Sequence, residues 1–382
     1  MASLQYVTFD SIQEGVGASQ VFAYLQLIAK VKKVELISFE KETPGNELLQ
    51  LVEESGITWK PLPYGRHGSL GGLDRVWRIS NRIDKKSIVH ARGNFAAISV
   101  MLTRHKNWIW DCRSLESDQR LAIKGLYFKS TIEFLFLRLF ELFIARRSSR
   151  IIVITNAVVE EFESRYRISK EKILVVPTCA NLEKFKVQPN KSSPNPLKIL
   201  MTGTFSAAYD FNLINEIVSK LRTRYKVDFT IATSKGTTEL WKKLDYDSIV
   251  SVPHSEMPRL VATQHLGISI WRDDLGKSLL SVASTKTAEF LASGVPIIVN
   301  HKQGDFGVLI EKSRVGIATR GHSQQKISEY LGGISELLED PDTSGRCRNV
   351  AESYLDLNAG VKQIISLYQD LEDCNFDGKF NT

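Results

Sequence analysis

Short apolar runs alternate with stretches whose apolar residues recur every three or four positions, almost from one end of the chain to the other. Runs of that kind, bounded by turn residues and separated by helix-period patterns, mark a parallel β-sheet covered by helices. In the first half they predict strands near residues 6–9, 34–39, 57–62, 87–91, 108–112, 151–155 and 173–176. The stretch beginning near Ala18 shows the helical period, with Val21, Phe22, Leu25, Ile28 and Ala29 on one side. The alternation breaks at "KFKVQPNKSSPNPLK" (184–198), where Pro189, Pro194, Pro196 and two serines predict a linker. It restarts with "LKILMTG", "VDFTIAT", "SIVSV", "LGISIW", "VPIIVN" and "VGIAT", each followed by a helical stretch. A chain of 382 residues is too long for one ordinary core. The pattern therefore predicts an α/β protein of two doubly wound domains, 1–188 and 197–345, with a helical segment, 346–382, crossing back to the first.

Ligands of parallel sheets gather at the carboxyl ends of strands, so the loops that follow the predicted strands are the candidate sites. The first strand leads into "DSIQEGVGASQ", where Gly15 and Gly17 precede a helix with Ser19 as a candidate cap; the loop is either a tight turn or a close approach of backbone to a phosphate or sugar. "VHARGN" puts His90 and Arg92 on one side of a strand end, a hydrogen-bonding ring beside a guanidinium that can fork onto an anion. "DCRSLESDQR" supplies Asp111, Arg113, Glu116 and Asp118, some of them ordinary ion pairs and caps. In the second half "MTGTFSAAYD" carries Gly203 and Thr204, "VPHSEMPRL" carries His254, and "WRDDLGK" carries Asp273, Asp274 and Lys277. Adjacent carboxylates point to opposite sides of an extended chain, so the Asp273–Asp274 pair reads as a solvated loop rather than a metal site. The fullest signal is "SVASTKTAEFLASGVPIIVN" (281–300). Gly294 suits the left-handed position that closes a helix, and Ser284, Thr285 and Lys286 stand at its start, where unpaired amides and the positive dipole end favour a phosphate.

The longest apolar segment, "STIEFLFLRLFELFIARRSSR" (130–150), is interrupted by Glu133, Arg138 and Glu141 and is not a spanning helix of about 20 apolar residues. Its pattern places Phe134, Leu135, Leu137, Leu139, Phe140 and Phe143 on a broad face and ends in Arg146, Arg147 and Arg150. That fits a core helix with a basic end, preferred because a strand follows at once, or a helix lying on an anionic bilayer. A net charge of +7 and a pI near 9.0 permit an anionic partner without choosing one. The cysteines (112, 179, 347 and 374) are far apart with no paired spacing, which suits a reducing compartment, and "MASLQYVTFD" has no signal-peptide pattern.

Taken in order, "GVGASQVFAYL", "VHARG" followed by "WIWDCR", "IIVITNAVVEEFESRYRISKEKILVVPTCANLEKF", "VPHSEMPRLVA" and "STKTAEFLASGVPIIVN" resemble the two-domain, nucleotide-sugar-dependent glycosyltransferases of the GT-B fold, in particular the retaining family 4. The resemblance covers nearly the whole chain. It implies two Rossmann-like domains facing a central cleft, a UDP- or GDP-linked sugar donor held mainly by the second domain, an acceptor held mainly by the first, and hexosyl transfer with retention, without a metal or other cofactor. It assigns catalytic roles to His90, Arg92 and Lys286, and donor binding to Gly15, Gly17, Gly203, Thr204, His254, Lys277, Ser284, Thr285 and Glu289. Glu289 matches the glutamate that holds the nucleotide ribose; Asp111 and Arg113 fall on the acceptor side. Two departures stand out. Ser281 occupies the position where the family often has a second glutamate, and the arginine and lysine that often follow the first strand of the second domain are missing, leaving Lys277 and Lys286 to supply positive charge.

The acceptor implied is a saccharide or lipid-linked saccharide in bacterial polysaccharide or envelope assembly, with the enzyme in the cytoplasm, at the inner membrane face, in peripheral contact with anionic lipid. No nucleic-acid module is present. The competing expectations are a nucleotide-sugar epimerase or hydrolase of the same build, and an inactive sugar-nucleotide-binding protein, the latter encouraged by Ser281.

Overall fold

Central strands of a parallel sheet are covered on both faces and are mainly apolar, whereas edge strands such as Ile57–Pro63 and Ser248–Val250 are only partly buried, and the predicted runs fold accordingly. The computed structural model describes residues 3–13, 15–125, 127–188, 194–233 and 239–376, so part of the predicted linker lies outside the described residues. The first sheet contains β1 (Leu4–Thr8), β2 (Val34–Glu40), β3 (Ile57–Pro63), β4 (Ile88–Arg92), β5 (Trp108–Asp111), β6 (Arg150–Val153) and β7 (Ile173–Val175), in the order β3-β2-β1-β4-β5-β6-β7. The second contains β8 (Leu197–Thr202), β9 (Val227–Ala232), β10 (Ser248–Val250), β11 (Leu266–Ser269), β12 (Ile297–Asn300) and β13 (Gly316–Thr319), in the order β10-β9-β8-β11-β12-β13. All pairings are parallel. Each order reverses once, between β1 and β4 and between β8 and β11, and such reversals open a crevice at the carboxyl ends.

The chain forms two compact units. The first comprises Met1–Leu121, Leu126–Val176 and Asn358–Thr382; the second comprises Ala122–Gly125 and Pro177–Leu357. The return to the first unit starts twelve residues later than the sequence pattern suggested, because helix Thr343–Tyr354 packs in the second unit and only the last helix, Leu357–Phe376, crosses back. That helix is tied down by Lys32, which pairs with Glu372 at 2.8 Å, and by Tyr368, whose hydroxyl meets His90 Nδ1 at 2.7 Å.

Two local expectations change. The helix expected near Ala18 opens as a wide π-type segment, Gly17–Phe22, before becoming α-helical at Ala23–Ile28. Ser19 is inside it rather than capping it, since its hydroxyl donates to the Gly15 carbonyl at 2.9 Å. Gly17 is required by packing: a Cβ there would lie 1.7 Å from the Ser11 carbonyl oxygen.

The larger correction concerns helix Phe128–Arg147, which is not an apolar core helix. Its buried residues include Ser130, Glu141, Ile144 and Ala145, and Glu141 accepts hydrogen bonds from the Ser117 amide and hydroxyl, Asn94 Nδ2 and the Tyr166 hydroxyl at 2.7–3.1 Å. A buried carboxylate held by four donors anchors the inner face. The outer face leaves Phe128, Ile132, Leu135, Phe136, Leu139, Phe140 and Phe143 exposed, Phe128 at 85%. The apolar residues that the sequence pattern assigned to the core thus lie largely on the exposed face.

Candidate functional site

In the second unit, the crevice between β8 and β11 is built by three loops and one helix. Helix Thr285–Ala292 sits close on the sheet because Gly267 of β11 has no side chain: a Cβ there would come within 2.8 Å of the Phe290 ring, which is fully buried. The helix ends as the sequence predicted. Gly294 adopts φ +68°, the Val295 amide reaches back to the Phe290 carbonyl at 2.9 Å and the Gly294 amide to Leu291 at 3.0 Å, so the orphaned carbonyls are satisfied.

Its other end faces the turn after β8. Gly203 there has φ +101°, a conformation only glycine adopts easily, and a Cβ at that position would sit 2.7 Å from Lys286 Cε. The glycine thus gives the lysine stem its place beside the turn. Lys286 Nζ donates to the Tyr209 hydroxyl and lies 5.1 Å from the centre of that ring. Tyr209 stacks on Trp271 at 4.6 Å, and the two segments pair as a short antiparallel bridge. Asn300, at the end of β12, pins this bridge from below, accepting from the Trp271 amide and donating to its carbonyl, both at 2.6 Å.

Several buried polar atoms around this crevice have no hydrogen-bond partner among the described residues: Ser269 Oγ at the end of β11, Trp271 Nε1, Ser284 Oγ at the helix start and Thr287 Oγ1 one turn on. Unsatisfied groups of this kind are costly and concentrate where a ligand completes them. Glu289, 7% exposed, is pushed up to about 8 by burial, against the opposing pull of Lys286. It is therefore protonated at neutral pH and can donate as well as accept a hydrogen bond.

The structure brings Gly203, Ser284, Thr285, Lys286 and Glu289 to one end of the second sheet, as turn, helix start and first helical turns. Thr204 follows Gly203 and is exposed. Lys277 is an exposed residue of segment Asp273–Ser281, which Gly276 bends at φ +56°. His254 begins the turn His254–Glu256, and its side chain lies outside those described. Ser281 Oγ turns inward to the Ser278 carbonyl at 3.0 Å. Asp274 pairs with Arg272 at 2.6 Å, in keeping with a solvated loop.

The first-unit candidates are arranged differently. His90 is 1% exposed, stacks on Tyr6 at 4.4 Å and has Asp111 Oδ2 3.3 Å from Nε2 and the Tyr368 hydroxyl at Nδ1. Burial holds the ring below its usual value, against the pull of Asp111. Arg92 is locked by Asp10 at 3.0 Å, Gln20 at 2.7 Å and Asp111 at 3.4 Å. Asp111 is fully buried; desolvation alone would raise it, but Arg113 at 2.7 Å, His90 and Arg92 hold it well below the carboxylate range. His90 and Arg92 thus belong to a buried network that neutralises charge at the strand ends. Gly15 adopts φ +56° with open space around its Cβ position.

Sequence reasoning missed Tyr209, Trp271, Thr287 and Tyr368. Tyr209 and Trp271 lay within the loops already singled out, and their aromatic character was the available signal. Tyr368 gives no local signal, since a helix far along the chain delivers it to β4.

Residues 27–184 match the model of Glycosyltransferase Family 4. No curated protein matches. Among solved structures, sucrose-phosphate synthase from Thermosynechococcus elongatus superposes with a TM-score of 0.73 at 11% identity, covering 98% of this chain and 100% of that one. HepE of Anabaena in complex with UDP-glucose superposes with a TM-score of 0.69 at 14% identity, covering 97% and 100%. A glycosyltransferase from Rickettsia africae superposes with a TM-score of 0.65 at 14% identity, covering 97% and 98%. The chain has the GT-B glycosyltransferase fold, two Rossmann-like domains, and the family match supports a glycosyltransferase.

Proposed function

We propose that the protein transfers a hexosyl group from a nucleotide diphosphate-sugar, UDP- or GDP-linked, to a saccharide or lipid-linked saccharide, with retention of anomeric configuration. The observation that carries this is the start of helix Thr285–Ala292. The Lys286 stem lies beside the Gly203 turn, and the unpartnered Ser284 and Thr287 hydroxyls belong to the same N-terminal turn of the helix. Amides and a cation in that arrangement suit a pyrophosphate, and Glu289, one turn further on, suits the ribose hydroxyls. HepE was solved with UDP-glucose, which supports a nucleotide-sugar donor here.

The chemistry asks little covalent help of the protein. As the bond between the sugar and the diphosphate breaks, negative charge grows on the departing phosphate, and the acceptor hydroxyl attacks from the same face while its proton passes to the leaving oxygen. Preplaced amides and Lys286 stabilise that charge, and one such donor is typically worth about 3 kcal/mol. No step needs a metal in this reading. The acceptor falls to the first unit. Its exposed apolar helix face, ending in Arg146 and Arg147, favours work at the cytoplasmic face of a bacterial membrane on envelope or polysaccharide precursors. No described helix is long and apolar enough to cross that membrane.

Thermal-shift screening against UDP, GDP and their sugar conjugates tests the donor, since a ligand of the folded form raises the unfolding temperature. Incubating the stabilising donor with and without saccharide acceptors then tests transfer. Donor turnover without acceptor points to a hydrolase or epimerase, and binding without turnover to an inactive protein.

A further inference from the structure

The amino ends of the first sheet, opposite the strand ends discussed above, carry a cavity of about 890 Å³. It lies where β5 and β6 begin and where the turn Lys170–Lys172 leads into β7. Arg104, Lys106, Arg146, Arg147, Arg150 and Lys172 line it, with Glu171 as its one carboxylate. None of the six cations is paired with a carboxylate among the described residues. Lys172 Nζ donates to the Arg146 carbonyl at 3.0 Å, and burial together with the Arg150 guanidinium pushes its ammonium down to about 8, as crowding of like charges should.

The cavity is continuous with the exposed stripe of helix Phe128–Arg147. At 100° per residue, the exposed apolar residues from Phe128 to Phe143 and the cavity residues Arg146 and Arg147 share one arc of about 140°. The stripe is about 22 Å long. An apolar face of that size marks an interaction surface, and here its composition chooses the occupant. Phenylalanine and leucine along the face with arginines at its rim suit the boundary between acyl chains and headgroups, where phosphate is the anion at hand.

We propose that this cavity binds the phosphate of an anionic lipid headgroup while the stripe beside it enters the acyl boundary, docking the first unit on an anionic bilayer. The proposal rests on the membrane-face reading above and deepens it by naming the headgroup site.

Sedimentation of the full chain with vesicles of phosphatidylcholine, alone or mixed with phosphatidylglycerol, is the test. Wild type binds the mixed vesicles and scarcely the neutral ones. Each Lys or Arg near an anionic surface contributes about fivefold, so Arg104→Glu with Arg147→Glu, both exposed, lowers binding more than about tenfold. Leu139→Ser with Phe143→Ser lowers it similarly, whereas Lys242→Glu with Lys243→Glu, the same charge change in the second unit, leaves it nearly unchanged. If the Arg104/Arg147 pair binds like the Lys242/Lys243 control, the headgroup site is overturned and the membrane reading survives. If wild type sediments with neither vesicle, the membrane reading falls as well. Stabilisation by inorganic phosphate without vesicle binding assigns the cavity to a soluble anion and overturns docking.

Discussion

Glu289→Gln isolates a single electrostatic feature of the site. An ordinary glutamate titrates near 4.5, and burial lifts Glu289 to about 8 although Lys286 pulls it the other way. Because the folded value lies above the unfolded one, the folded chain holds an extra proton between them, and stability falls as pH rises across that window. The contribution is complete below about pH 4.5 and lost above about pH 8. The gap corresponds to about 5 kcal/mol. For a unit of this size each kcal/mol moves the unfolding temperature by about 2–4 °C, so the wild type should lose on the order of 10 °C between pH 5 and pH 8 from this residue. Glutamine has the shape of the neutral acid and does not titrate, so the variant should match wild type at pH 5 and exceed it at pH 8. Near-ultraviolet circular dichroism melts at both pH values measure this directly. Parallel pH profiles for the two proteins would show that Glu289 titrates normally, and with that the account of a desolvated carboxyl beneath the helix start would be wrong.

Other perturbations test the neighbouring contacts. Lys286→Ala should lower turnover about a hundredfold with an unchanged unfolding temperature, and wild-type kcat in that variant removes the lysine from the mechanism. Gly203→Ala should weaken donor binding by displacing the Lys286 stem, and because the clash needs both partners, the loss in the double variant with Lys286→Ala should be less than additive in a binding titration. Asp111→Ala should cost about 3–5 kcal/mol in denaturant unfolding, since Arg92 and Arg113 lose the carboxylate that neutralises them.

Every run read as a strand is a strand, because the buried central strands are mainly apolar and the sequence records that directly, and the partly exposed edge strands still keep short apolar runs between turn signals. The closing turn at Gly294 was equally legible, since a left-handed position leaves one natural choice of residue. Side-chain direction was not. His90 and Arg92 stand at a strand end, as expected, yet they point into a network completed by Asp10, Gln20 and Tyr368, which come from distant parts of the chain. Helix Phe128–Arg147 misled for a related reason: its buried face is organised by a carboxylate, and its exposed face is apolar, so the usual link between polarity and exposure is inverted.

The positive charge beside the start of helix Thr285–Ala292 illustrates how backbone and side chain trade roles. The turn after β8 lacks the arginine and lysine that its family resemblance led one to expect, and instead holds Gly203 in a conformation that other residues resist. Without a Cβ there, the stem of Lys286 passes beside the turn, and Tyr209, stacked on Trp271, receives its ammonium. A cation is thereby delivered to the loop from the helix that faces it. Lys277, the other lysine expected to make up the deficit, sits exposed on a separate bent segment. Under the proposed transfer, the Lys286 ammonium would carry this task beside the helix dipole and the unpartnered hydroxyls, and the charge on a departing diphosphate would rest more heavily on one side chain than where two cations share it.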